Sequence, residues 1–103
     1  MYNPLRFWLF GALLWAAAGG LSAQVHNPDS VLQEARKLAF AQKYDTARLL
    51  CRQILHEYPG YHDARILQGR TYAWEKQYDT ARVAFAHVLQ KDPAYTDASL
   101  ALA

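Results

Sequence analysis

Only one cysteine, Cys51, stands among the 103 residues, so no intrachain disulfide can form. Small exported domains often lean on such bridges, and this chain has to be held by apolar packing instead. Long hydrophobic runs are missing too. The most apolar stretch, residues 7–18, is interrupted only by Gly11 and falls short of the ~20 residues a membrane-spanning helix needs. Neither sign of charge dominates: eleven Lys and Arg face nine Asp and Glu, interspersed along the chain. That excludes the concentrated positive face a nucleic-acid-binding protein would carry. Chemistry-bearing motifs are equally scarce. There is no nucleophile–base–acid order, no glycine-rich phosphate loop and no paired-ligand spacing. His56-Glu57 does not open a zinc-binding H-E-x-x-H motif, because Gly60 stands where the second histidine belongs. His56 and His62 are expected at helix ends, and Cys51 is expected as a buried, inert thiol. Asp92 and Asp97 flank a turn and read as capping groups. The sequence therefore predicts no enzyme, no metal and no cofactor.

What is present begins with a leader. Arg6 and the free amino terminus precede the apolar run, Gly19-Gly20 break it, and Leu21-Ser22-Ala23 supply small residues ahead of Gln24. Basic start, short apolar core and small-residue cleavage site are the three parts of a secretory signal peptide. Residues 1–23 are expected to be this leader, in helical form, and 24–29 a short linker. An uncleaved membrane anchor stays open as the alternative. No cysteine follows the run closely, which argues against lipid modification of a mature N-terminus.

The rest of the chain repeats itself. Tyr44-Asp45-Thr46-Ala47-Arg48 recurs as Tyr78-Asp79-Thr80-Ala81-Arg82, 34 residues later. The same offset links Asp29 to Asp63, Arg36 to Arg70, Leu55 to Leu89, Pro59 to Pro93 and Tyr61 to Tyr95. Aligned without a gap, 28–61 and 62–95 share 11 identities. A third copy starts, Asp97-Ala98-x-Leu100 echoing Asp63-Ala64-x-Ile66. Each unit reads as two helices. Ala64, Ile66, Leu67, Gly69, Tyr72 and Ala73 make the stripe of a first helix. The segment Lys76-Gln77-Tyr78-Asp79 reads as a polar connection, with Asp79 as the next helix's cap. Ala81, Ala84, Phe85, Val88 and Leu89 share one face of a second helix, which Asp92-Pro93 ends. The first unit matches this layout with Leu32, Ala35, Leu38 and Ala39, then Ala47, Leu50, Cys51, Ile54 and Leu55. The domain reading is 30–61 for the first repeat, 62–95 for the second and 96–103 for the start of a third.

These units resemble the tetratricopeptide repeat. The family's small place holds Ala35 and Gly69, its first aromatic place Leu38 and Tyr72, and its invariant alanine Ala47 and Ala81. Its second aromatic place holds Cys51 and Phe85, and its proline Pro59 and Pro93. Departures are Val31 and Arg65 where the family carries Trp, Glu34 and Gln68 where it carries Leu, and Ile54 and Val88 where Ala is usual. The expected fold is all-α, an antiparallel helix-hairpin solenoid of two repeats and the start of a third. The small places are expected to meet Ala47 and Ala81 where the paired helices cross. With so few units, the apolar face around Phe85 and Val88 is expected to be poorly covered.

A narrower resemblance rests on Gly69-Arg70-Thr71-Tyr72-Ala73-Trp74 followed by Tyr78-Asp79-x-Ala81-Arg82. It is similar to the N-terminal region of YaiO-type outer-membrane β-barrel proteins, where a signal peptide and a few repeats precede a barrel. Relatives of that kind take part in polysaccharide export or modification. The resemblance implies a non-catalytic scaffold for protein–protein interaction, exported to the periplasm or the outer membrane, and a fragment whose barrel is absent from these residues. A glycan-contacting component of polysaccharide export is the alternative. The repeat family further implies a concave groove lined by Asp29, Leu32, Arg36, Ala39 and Phe40, then Asp63, Ile66, Arg70, Ala73 and Trp74. Arginine and an aromatic four residues apart on one helix face suit peptide carboxylates or sugar faces. The other reading has Arg36 and Arg70 paired with neighbouring acids, and Phe40 and Trp74 covering the next helix. Expected partners are a protein or peptide, including the chain's own barrel, or polysaccharide; no nucleic acid; and membrane only through the leader.

Overall fold

The computed structural model describes residues 27–102. The leader, the cleavage site and linker residues 24–26 lie outside them. Five helices follow one another: α1 (Pro28–Phe40), α2 (Tyr44–Glu57), α3 (His62–Trp74), α4 (Tyr78–Lys91) and α5 (Thr96–Leu102). Helix α1 begins inside the stretch read as linker. The Asn27 side chain accepts from the Asp29 and Ser30 N–H groups at 3.1 and 3.3 Å, and Pro28 takes the first helical place, where its missing N–H costs nothing.

The two units repeat their backbone detail as well as their sequence. Each first helix ends with a residue in the left-handed region, Gln42 (φ 63°) and Lys76 (φ 64°). Around them the Lys43 N–H reaches the Leu38 carbonyl at 2.8 Å and the Gln77 N–H the Tyr72 carbonyl at 2.9 Å. The Gln42 N–H bonds Ala39 and the Lys76 N–H bonds Ala73. This pair of bonds is the Schellman arrangement, built here on residues with side chains. The polar connection of the second unit is consequently shorter than the sequence suggests. Tyr78 and Asp79 already belong to α4. Asp79 does not cap: the cap position is Gln77, which makes no side-chain bond, and Asp79 sits in the first turn paired with Arg82 at 3.0 Å. Its charge there acts on the positive end of the helix. Both second helices stop at the residue before proline, with Tyr58 (φ −125°) and Asp92 (φ −140°) extended, as proline's ring demands. Asp92 also accepts from the Ala94 N–H at 3.3 Å, while Asp97 lies in the first turn of α5.

Consecutive helices pack as antiparallel hairpins, α1 on α2, α2 on α3, α3 on α4 and α4 on α5. The first helices also touch in succession, α1 to α3 and α3 to α5, whereas α2 and α4 do not meet. The chain is thus an all-α, tetratricopeptide-like hairpin solenoid, with α1, α3 and α5 as its inner layer. Helix α3 is central and buries two sides. Ala64 and Leu67 join Leu32, Ala35, Ala39, Ala47, Cys51 and Ile54 in one core. Ile66 joins Ala81, Phe85, Val88 and Ala98 in a second. The single stripe read along α3 is therefore split between two neighbours. Ile54 and Val88 are fully buried, each contributing about 1.5–3 kcal/mol of transfer energy.

One packing expectation needs correction, and another gains a partner. A Cβ at Gly69 would meet the Phe85 ring, its three nearest atoms at 2.5, 2.9 and 3.0 Å, so the small place has to make room for the aromatic. The bare glycine lets the Phe85 ring sink under α3. Phe85 and Val88 are accordingly buried, with Ala98 of α5 closing the cluster. The large apolar side chains that α4 leaves exposed are Tyr78 and Val83.

Candidate functional site

The inner layer carries a groove of about 440 Å³ between α1, α3 and α5. Its helical spacing brings Arg36 and Phe40 of α1 beside Arg70, Ala73 and Trp74 of α3, with Asp97, Leu100 and Ala101 on the far wall. Phe40 is 77% exposed and Trp74 45%, large values for aromatic side chains in a packed domain. Their ring centroids lie 6.3 Å apart, and Tyr44 stands 6.1 Å from Trp74, so three aromatics form one tilted cluster. Phe40 thereby reaches Trp74 on the next unit's first helix while staying largely exposed. The arginines behave otherwise. Among the described residues neither Arg36 nor Arg70 forms an ion pair or hydrogen bond, and both are exposed.

The remaining groove candidates sit elsewhere. Leu32 and Ile66 are buried, at 3% exposure, in the two cores. Ala39 is buried as well. Asp29 and Asp63 lie at the starts of α1 and α3, where the Tyr61 and Tyr95 hydroxyls donate to them. The two bonds are copies of each other, each closing a unit by tying the start of its first helix to its last residue. The carboxylate beside Tyr61 disfavours the phenolate and pushes its pKa up to about 12. His62 stacks edge-on against Tyr95, with centroids 5.4 Å apart.

Sequence reasoning missed the most elaborate polar cluster. Arg48 of α2 is almost wholly buried, its side chain 7% exposed. Its Nη1 donates to Thr71 Oγ1 at 3.3 Å and lies 2.5 Å from Glu75 Oε1, while Nη2 reaches Asp45 Oδ1 at 2.7 Å. The guanidinium lies 4.5 Å over the Tyr72 ring. Thr71 Oγ1 in turn donates to the Gln68 carbonyl at 2.6 Å. Burial alone would lower the Arg48 pKa, but bonds to Glu75 and Asp45 outweigh it and hold the pKa above its ordinary value. The signal that could have found this cluster is Thr71 and Glu75, polar residues whose counterparts in the first unit are Lys37 and Ala41.

Cys51 is fully buried, and burial pushes its thiol up to about 12, far from the thiolate a nucleophile needs. Among the described residues no group of three His, Cys, Asp or Glu is placed to hold a metal ion. None of the described helices is long and apolar enough to cross a membrane. No family model matches the chain, and no curated protein or solved structure matches it.

Proposed function

We propose that the chain is an exported, non-catalytic tetratricopeptide scaffold of a bacterial-type cell envelope, which binds an extended acidic segment of a partner protein along its inner groove. One observation carries the reading: two exposed arginines, without ion-pair partners among the described residues, stand beside an exposed aromatic cluster on the face made by the first helices. Guanidinium groups bind carboxylates in bidentate fashion, and Phe40 and Trp74 add contact area at low entropic cost. Export to the periplasm or outer membrane rests on the leader read in residues 1–23, and the link to a barrel rests on the YaiO-type resemblance.

Trp74 supplies the readout. Titrating the chain with an acidic peptide at low ionic strength should change its emission saturably, and Trp74→Phe should abolish the change. Arg36→Ala with Arg70→Ala should remove it without altering the melting temperature. No response from acidic peptides sinks the proposal. The aromatic cluster favours a second reading, stacking on saccharide faces in polysaccharide export. A response to neutral oligosaccharides that ignores both arginine substitutions would support that reading over the first. Recovery of the exported chain with Gln24 as its first residue would establish leader cleavage, whereas Met1 would establish the anchor.

A further inference from the structure

The inner groove needs arginines that stay unpaired, and the acids nearest to them show how that is achieved. No Asp or Glu stands three or four residues from Arg36 or Arg70, so neither has an ion-pair partner one turn away on its own helix. Their acids stand seven residues earlier, Asp29 for Arg36 and Asp63 for Arg70. Seven residues is two turns on the same face, about 10 Å along the axis. An arginine side chain leans toward the start of its helix and spans much of that distance. Yet among the described residues neither pair forms. Each carboxylate accepts instead from a tyrosine hydroxyl, Asp29 from Tyr61 and Asp63 from Tyr95. Tyr61 holds the N-cap position of α3, so its bond joins the starts of α1 and α3. Its phenol registers every charge at issue: the Asp29 bond raises its pKa most, burial and Asp63 add to the rise, and Arg36 opposes it.

We propose that Tyr61 and Tyr95 are positioning residues of the groove: by holding Asp29 and Asp63 at the helix starts, they keep these carboxylates off Arg36 and Arg70 and leave the guanidinium groups to an incoming carboxylate. This role rests on the groove's reading as an acid-binding surface. A carboxylate that accepts from a phenol has its rotamer fixed and one oxygen engaged, so it competes poorly for a guanidinium. Released, it becomes a tethered competitor at high effective concentration. The residues ahead of α1 supply no further competitor, since Asp and Glu are absent before Asp29. Asp97, on the far wall of the groove, is common to every variant below and cancels in the comparison.

Two measurements on the full chain test this role. Phenylglyoxal attacks free guanidinium groups, and its rate at Arg36, followed by mass spectrometry, reports pairing without any ligand. Tyr61→Phe with Tyr95→Phe should slow that rate roughly threefold, and adding Asp29→Asn with Asp63→Asn should return it to the wild-type value. The second measurement is titration with an acidic peptide, read by calorimetry. The phenylalanine variant should bind roughly threefold more weakly, and the two asparagines should improve binding more in that background than in the wild-type chain. Asparagine cannot rebuild the lost tyrosine bond, so a purely structural role for the tyrosines gives no such recovery. Unchanged Arg36 reactivity in the phenylalanine variant, or a loss that the asparagines fail to return, overturns the inference. Saturable binding by the wild-type chain with no loss in the phenylalanine variant overturns it alone and leaves the acid-binding groove standing. Absence of binding by every chain overturns the groove reading as well.

Discussion

The two units carry the same five-residue string, Tyr-Asp-Thr-Ala-Arg, at the start of their second helices, and put it in different surroundings. Arg48 is enclosed by the next first helix; Arg82 lies open. Their cores differ in the opposite sense. The first unit pairs Ala35 with Cys51, two modest side chains buried in one cluster. The second pairs Gly69 with Phe85, the smallest residue with a large ring. Both fill the same gap between paired helices, but divide the volume differently. A repeat thus fixes the backbone path and leaves each interface to be solved by whatever neighbour is present.

The largest effect should separate the two arginines. Arg48→Ala strips Thr71 and Glu75 of their partner and should cost about 2–3 kcal/mol in urea unfolding. Arg82→Ala should cost less than about 0.5 kcal/mol, because an exposed pair contributes little. Equal losses would mean that burial does not distinguish the sites. Next comes the exchange of volume. Cys51→Phe should overpack the first unit by roughly 1–3 kcal/mol, and adding Ala35→Gly should return part of that loss. Gly69→Ala should likewise destabilise the second unit: helix propensity gains about 1 kcal/mol, but a methyl 2.5 Å from the Phe85 ring outweighs it. If Ala35→Gly makes Cys51→Phe worse, the division of volume proposed for the pair is wrong.

A smaller difference should appear with pH. His87, in the second unit, has a buried Nδ1 without a hydrogen-bond partner among the described residues. Burial, helped by Arg65, Lys91 and His62, lowers its pKa from the ordinary 6.5. The folded state therefore prefers the neutral ring. Its contribution is present above the unfolded value and is lost as pH falls from about 6.5 through the lowered folded value. Its counterpart Gln53 is exposed and carries no titratable group. His87→Gln should flatten the melting temperature between neutral and mildly acid pH, and an unchanged slope would remove His87 as its source.

The smallest effect should be shared by both units. Gln42 and Lys76 hold left-handed backbone with a Cβ attached, so replacing either with glycine should raise stability by about 0.5–1 kcal/mol. Unequal gains in thermal melts would show that the two turns are not the copies their bonds describe.

Much of the fold was legible because helical periodicity and a 34-residue offset are local signals. The ends of α2 and α4 were readable from Pro59 and Pro93, since proline restricts its predecessor whatever surrounds it. The Schellman ends were not, because Gln42 and Lys76 give no glycine signal. Asp79 misled for a related reason. An acid near a helix start reads alike as a cap or as a first-turn residue, and only the backbone at Gln77 separates the two. Of the candidate residues, Arg36, Phe40, Arg70 and Trp74 line one groove between α1, α3 and α5. Leu32 and Ile66 went to the cores, and Asp29 and Asp63 were taken by tyrosines 32 residues away.

By itself the sequence determined the repeat length, the helix order and the places where bulk is forbidden, because these depend on spacing along one chain. Only the tertiary structure decided that α3 is buried on two sides, that Arg48 is enclosed while Arg82 is not, and that Phe85 rests under Gly69. Those outcomes depend on which surface lies across from each residue, and identical local strings acquire different energies when one has a neighbouring helix to desolvate it and the other has water.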